Sequence, residues 1–235
     1  MRSSFLLIAC AFTLATSVSG QRLKKSAEYF NTPGKVGILV QTVINTDKAS
    51  SASGFGLIGG VAGAVIGHAK STDKFDTVLT VLEPRLDPID TAKAVYQEVY
   101  SRKGKTVVMI DDIDPKSFPD FIAPKGTDKK YLRKDVQSLK EKYGVEDLVL
   151  IIIDYGIEVH YKYGIETYRE GVSSVNTNII SLRDNSFIVN EITPAAVRIS
   201  GKWNTPPGYE NVTAAIQRAI RKSIANDVAK YPLIP

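Results

Sequence analysis

The feature that most constrains the fold is the stretch EDLVLIIIDYGIEVHYKYG, residues 146–164. From 148 to 153 every residue is apolar, which is typical of a central strand buried on both faces. After Gly156, apolar residues alternate with polar ones. The sequence therefore predicts a long strand that leaves the covered core near Gly156, with a bend or bulge at that glycine.

The remaining elements follow from apolar spacing. Strands are predicted at 36–40, 105–111, 172–182 and 187–199, the last of them edge-like. Helices are predicted at 75–82, 90–104, 132–143 and 212–228. Early strands separated by helices and a late run of consecutive strands predict an α+β fold. Its single mixed sheet of about five strands would have early parallel crossovers and a late antiparallel meander. Residues 35–235 are expected to form this single domain.

The first twenty residues have the layout of a secretory signal peptide. Arg2 supplies the positive charge, residues 5–14 are apolar, and Val18-Ser19-Gly20 are small residues before a cut. Residues 21–34 are polar and form a lead-in. A secreted or periplasmic location is therefore expected. Cys10 is the only cysteine; too few apolar residues precede it for a lipid-attachment signal, so lipid anchoring at Cys10 is not expected.

A glycine-rich apolar run lies at 55–67, inside the predicted helix 55–69. Its glycines recur at helical spacing and resemble a glycine zipper, which lets another backbone approach closely. The candidate residues for helix packing or self-association are Gly56, Gly59, Gly60, Gly63 and Gly67. Thirteen residues are too few to span a bilayer. The GxGxxG match in GFGLIG is weak because a polar loop separates it from the preceding strand. A membrane-surface or re-entrant segment is the remaining alternative.

The residues that could carry chemistry are few. Asp111, Asp112 and Asp114 follow a predicted strand end and could bind a cation or ligand, although the calcium-loop glycine and closing glutamate are missing. Capping at a loop mouth is the competing interpretation. His68 and His160 show no zinc-ligand spacing, and His160 is kept only as a ligand candidate. No metal, cofactor or catalytic residue is predicted.

Charge and composition also limit the partners. Without Arg2 the mature chain has 29 basic and 25 acidic residues, and the basic residues are dispersed. Nucleic-acid binding is not expected, because it favours a dense basic patch. A protein partner or a homo-oligomer is expected instead. Contact with a membrane surface is a further possibility that the sequence leaves open.

The order of elements resembles that of small bacterial envelope proteins. YGVEDLVLIIIDYGIEVHY followed by TNIISLRDNSFIVNE is similar to the core of CsgG-like and TolB N-terminal-like domains, and GLIGGVAGAVIG resembles a segment of other exported proteins. This resemblance implies an accessory or assembly role in the envelope.

Three functions are carried forward. The first is an exported, non-enzymatic envelope protein that acts through protein–protein contacts. The second is a membrane-associated protein that inserts its glycine-rich helix. The third is a hydrolase or ligand-binding protein that uses the Asp111–Asp114 loop together with His160, which would require those groups to converge.

Overall fold

The structure is a computed structural model, and it describes residues 29–45, 49–51, 78–79, 81–82, 85–113, 121–122, 130–162, 165–202 and 209–231. Its main strands are β1 Gly34–Asn45, β2 Ala49–Ser51, β3 Lys105–Met109, β6 Asp147–Lys162, β7 Ile165–Ser181 and β8 Phe187–Arg198. They form one sheet in the order β3-β1-β6-β7-β8, with β2 beside β6. A separate pair consists of β4 Phe121–Ile122 and β5 Tyr131–Leu132. Strands β3, β1 and β6 are parallel, while β6, β7 and β8 are antiparallel. The predicted α+β fold with a mixed sheet is confirmed.

The long strand β6 is central, as its continuous apolar run predicts. Leu148, Val149, Leu150, Ile151 and Ile153 are all buried. The bulge expected at Gly156 is wrong, because Gly156 keeps its register with β1 and β7. The register shift between β6 and β7 falls at His160/Tyr161 instead.

Strands β6 and β7 extend beyond their neighbours. The pairing of β1 with β6 ends at Asn45 and Gly156, and the pairing of β8 with β7 ends at Arg198 and Glu170. Among the residues that the structure describes, only the short β2 runs beside β6 past this point. We call residues 157–162 of β6 and 165–169 of β7 the hairpin arm.

Among the described residues, two long helices lie on one face of the sheet: α1 Pro88–Arg102 and α3 Glu210–Ala229. The apolar stripe predicted for the last helix is confirmed, because Val212, Ile216, Ile220 and Ile224 are all buried. They pack in the main core with odd-numbered side chains of β6, such as Ile151. The positions 78, 79 and 82 of the predicted helix 75–82 also lie in this core. Helix α1 begins at Pro88, before the predicted start at 90, so Asp90 lies in its first turn.

The opposite face carries a smaller core. It is built around Leu148, Leu150 and Ile180 with residues from the segment before β6. The helix predicted at 132–143 is wrong for its first half, since helix α2 spans only Ser138–Tyr143. Leu132 belongs to β5, and its N–H bonds to the carbonyl oxygen of Asn185. Leu132 and Val136 are both buried in this core, but no helix joins them. Their four-residue spacing therefore reflects two buried positions and not a helical face.

Helix α3 lies unusually close to strand β7. A Cβ placed on Gly171 would lie 2.6 Å from the backbone N of Ile216 and 2.7 Å from the carbonyl carbon of Ala215. Small residues also line the contact further along, where Ser173 and Ser223 share a hydrogen bond of 3.0 Å. Close backbone approach is thus present in this fold at Gly171, a residue that the sequence analysis did not single out.

Candidate functional site

The acidic residues after β3 are engaged by lysines. Lys93 Nζ of α1 lies 2.8 Å from Asp111 Oδ1, and Lys142 Nζ of α2 lies 2.8 Å from Asp112 Oδ2. Tyr143 Oη also donates to Asp112. Hydrogen bonds from Lys142 and Tyr143 lower the pKa of the Asp112 carboxyl group. Asp114 lies outside the described residues. Two carboxylates neutralised by lysines match the capping and solvation interpretation better than a cation site.

His160 lies in a different cluster, on the hairpin arm. Its Nε2 is 2.9 Å from Glu170 Oε2 and 4.0 Å from Glu158 Oε1. Because an ionised carboxylate only accepts hydrogen bonds, the imidazole donates from Nε2 in this contact. Glu158 and Glu170 face each other in the strand register. Like charges in that position repel, and the imidazole of His160 lies beside both carboxylates.

Two rings and a guanidinium group stack beside these carboxylates. The His160 and Tyr168 rings are 4.1 Å apart between centroids, with planes 17° apart. The Arg198 guanidinium carbon lies 5.0 Å from the centroid of the Tyr168 ring. We call His160, Tyr168 and Arg198 the arm stack. The His160 and Glu170 side chains are 21% and 23% exposed, so solvent reaches this cluster.

The structure does not bring Asp111 and His160 together. Ile110, next to Asp111, donates its N–H to the Ile38 carbonyl oxygen, and Ile38 pairs with Val149 of β6. His160 is eleven residues further along β6. At about 3.3 Å per residue, eleven residues of β6 span roughly 36 Å, so the two sites lie far apart. Within the described ranges, no three His, Asp or Glu side chains are grouped so that they could hold a metal ion.

Other predicted site residues cannot be placed. Gly56, Gly59, Gly60, Gly63 and Gly67 lie outside the described residues, as does the predicted signal peptide. Among the helices that the structure describes, none has the length and apolar character needed to cross a membrane.

The most elaborate polar arrangement is buried beneath α3, and sequence reasoning missed it. Asp227 is completely buried and accepts three hydrogen bonds of 2.7 Å, from Tyr96 Oη, Thr177 Oγ1 and Thr193 Oγ1. Lys230 Nζ donates to Thr193 Oγ1 at 2.7 Å. Burial raises the pKa of the Asp227 carboxyl group, while the three donors act in the opposite direction. We call Asp227 and its three donors the Asp227 network.

A sequence signal for this network existed. A row of small residues at four-residue steps, Ala215, Ala219 and Ser223, lies beside the large apolar stripe of α3, and Asp227 is the next member of that row. All four are buried. An acidic residue that continues a buried row must find donors, so the spacing alone could have indicated a buried carboxylate.

Comparison with known proteins gives limited similarity. No protein-family model and no curated protein matches the chain. A hypothetical protein from Chlamydia trachomatis is 14% identical, covers 85% of this chain and 98% of its own, and has a TM-score of 0.34. A Xanthomonas campestris protein described as DUF330 is 10% identical over 84% and 83% of the two chains, with a TM-score of 0.35. A lipoprotein from Neisseria meningitidis is 13% identical over 83% and 99%, with a TM-score of 0.33.

Similarities of this size carry no inference about what this chain does. The three structures are not described as CsgG-like or TolB-like, so that resemblance stays a prediction.

Proposed function

We propose that this chain is an exported, non-enzymatic protein of the cell envelope that serves an accessory or assembly role through protein–protein contacts. Its N-terminal sequence supports export, because residues 1–20 have the layout of a signal peptide. Export predicts that the protein isolated from its own host begins at Gln21. A partner protein and a second copy of this chain are both compatible with the proposal.

The observation that carries the proposal is the arm stack on the part-exposed face of the hairpin arm. Among the described residues, the hairpin arm extends past the pairing of β1 and β8; Ile157 and Val159 on one of its faces are buried in the main core, while His160 and Tyr168 lie on the other, part-exposed face. Tyrosine and arginine are the residue types most enriched at the energetic centres of protein interfaces. Tyr168, fixed between His160 and Arg198, presents such a surface in a preorganised form.

The arrangement of the other polar groups supports a contact role more than catalysis. General acid–base chemistry requires the participating groups to lie within hydrogen-bond reach of one substrate. Asp111 and Asp112 are paired with lysines, and His160 is bound to Glu170 at the other end of β6. The proposal of a non-enzymatic role follows from this separation.

The proposal is tested by removing the arm stack without unfolding the protein. The variant Tyr168→Ser/Arg198→Ser is compared with Arg183→Ser, which lies in the exposed turn between β7 and β8 at the other end of the sheet. Native electrophoresis of gently extracted envelopes measures the size of any complex. We expect the double variant alone to migrate as the free protein, with unchanged thermal unfolding. Unchanged complex size in the double variant would contradict the proposal.

The glycine-rich segment gives a separate prediction. If the glycine zipper provides a contact, Gly63→Leu places a bulky side chain on its close-packed face and should change either the oligomer size or the stability. Ala64→Leu is the matched control, because position 64 lies about 100° around the helix from Gly63. Light scattering gives the molecular mass and urea unfolding gives the stability. If neither quantity differs between the two variants, the zipper prediction is wrong.

A further inference from the structure

The outer edge of β8 is blocked at three places between its start and Pro194. At the start, Phe187 donates its N–H to the carbonyl oxygen of Lys130, 2.9 Å away. Further along, Lys230 Nζ donates to the carbonyl oxygen of Ile192 at 3.4 Å. Pro194 itself has no N–H to offer to a pairing strand. Lysine and proline at such positions are a common means of preventing unwanted strand pairing at a sheet edge.

The last part of the same edge has no such block among the described residues. In an antiparallel pair, residues alternately exchange both hydrogen bonds with the neighbouring strand and point both backbone groups away from it. Ile199 donates its N–H inward to the carbonyl oxygen of Arg169 on β7, at 2.9 Å. The alternation therefore directs the N–H and C=O groups of Ala196 and Arg198 outward, and both residues are exposed. Within the described ranges, no other group bonds to these outward backbone groups.

This open part of the edge adjoins the arm stack. Arg198 belongs to both, because its backbone lies at the open edge while its guanidinium carbon lies 5.0 Å from the centroid of the Tyr168 ring. In the register, Arg198 lies opposite Glu170 of β7 on one side, and its other side is the outer edge. A strand added at this edge would therefore place one of its side chains directly beside Arg198, on the face of the sheet that carries the arm stack.

We propose that an extended segment of another protein adds as a strand to the outer edge of β8 at Ala196–Arg198. Its backbone exchanges hydrogen bonds with Ala196 and Arg198, and the pairing ends at Pro194, where the edge lacks a donor. The side chain opposite Arg198 is acidic, because opposite charges in that position stabilise a sheet. This strand addition rests on the proposed contact role of the arm and gives that contact its type of partner.

A second copy of this chain fits the open edge less well. Antiparallel pairing of two such edges about Val197 would set each Arg198 opposite an alanine. The two guanidinium groups would then occupy diagonal positions on one face, within reach of each other, where like charges repel. A foreign segment that supplies a carboxylate is therefore the favoured occupant.

The variant Ala196→Pro tests the strand addition. Proline removes the outward N–H, which takes no part in the ladder with β7, and its ring obstructs an incoming backbone. Pro194 already occupies an equivalent outward position, so unchanged thermal unfolding is expected. Native electrophoresis of gently extracted envelopes should show about tenfold less complex than wild type. The matched control is Ile192→Pro, which removes an outward N–H beside the Lys230 block and should leave the complex unchanged.

Hydrogen exchange provides a second measurement, which needs no proline variant. The amide hydrogens of Ala196 and Arg198 should exchange quickly in the purified full chain, and about tenfold or more slowly in the complex isolated from the envelope. Val197, which bonds to β7, is the internal reference and should be protected in both samples. Equal exchange of Ala196 and Arg198 in the two samples would overturn the strand addition.

The outcomes separate this strand addition from the contact role itself. If Tyr168→Ser/Arg198→Ser loses the complex and Ala196→Pro keeps it, the arm makes the contact without an added strand, and the strand addition is overturned. If both variants keep the complex, the contact role of the arm fails as well. A complex that contains only two copies of this chain would overturn the choice of a foreign segment.

Discussion

Replacing Asp227 with alanine is expected to lower the free energy of unfolding by about 3–5 kcal/mol. The substitution removes the shared acceptor of Tyr96, Thr177 and Thr193, and it leaves three buried hydroxyl groups without it. These donors come from α1, β7 and β8, so the loss affects the attachment of both helices to the sheet. Chemical denaturation followed by circular dichroism measures the effect.

Two further variants show whether the loss of stability comes from the Asp227 network or from any substitution in this part of α3. Asn226→Ala changes the neighbouring exposed residue of α3 and should raise the stability by no more than about 0.7 kcal/mol, because alanine has the higher helix propensity. Asp227→Asn keeps the shape and one acceptor oxygen, so an intermediate loss of about 1–2 kcal/mol is expected. Equal stability of Asp227→Ala and Asn226→Ala would show that the Asp227 network does not stabilise the fold.

The same carboxyl group predicts a pH dependence. Burial raises the pKa of Asp227 above its ordinary value of 3.8, so the folded state binds this proton more tightly than the unfolded state. The unfolding free energy contributed by this group therefore falls as the pH rises from 3.8 through the raised pKa of the folded state. Wild type should lose stability relative to Asp227→Asn across that window. A relative gain with rising pH would mean that the three donors, and not burial, determine the pKa.

The second large effect is expected at Gly171. In Gly171→Ala the new Cβ would lie within 2.7 Å of two backbone atoms of α3, and a backbone cannot rotate away as a side chain can. Helix α3 must shift, and we expect a loss of about 2–3 kcal/mol in the free energy of unfolding.

Gly37→Ala is the matched control for this prediction. Its Cβ would also come within 2.6 Å of another atom, but that atom is Cδ1 of Ile110, the end of a flexible side chain. A rotamer change relieves this contact, so a loss below about 1 kcal/mol is expected. The account of close helix–strand packing would be contradicted if Gly37→Ala cost as much as Gly171→Ala.

The parts of the fold that the sequence predicts are those with a clear apolar period. The unbroken apolar run of β6 and the four-residue steps of α3 each identify a buried surface without reference to any other segment. The same reasoning fails at Leu132 and Val136, where helical spacing arises from two separately buried residues in an irregular segment. An apolar pattern of only a few repeats cannot distinguish an amphipathic helix from an irregular segment with separately buried residues.

The polar features depend on distant parts of the chain and were harder to predict. The donors to Asp227 are separated from it by 131, 50 and 34 residues, so no local pattern brings them together. Gly171 lies within a strand and reads as a weakening residue until α3 is placed on it. The sequence identifies His160 as a candidate, but its contacts with Glu170 and Tyr168 depend on the hairpin register. A joint site of His160 and Asp111 would require the two side chains to lie close together. They lie near opposite ends of the long strand β6 instead.

The central claim is that the hairpin arm makes contact with another protein chain in the envelope. Its most direct test is a photo-crosslinking amino acid placed at position 168 in the exporting host, with position 183 as the control in the opposite turn. We predict one discrete adduct at 168 and none at 183, either with a partner protein or with a second copy of this chain. The absence of an adduct at 168, or equal adducts at both positions, would contradict the account.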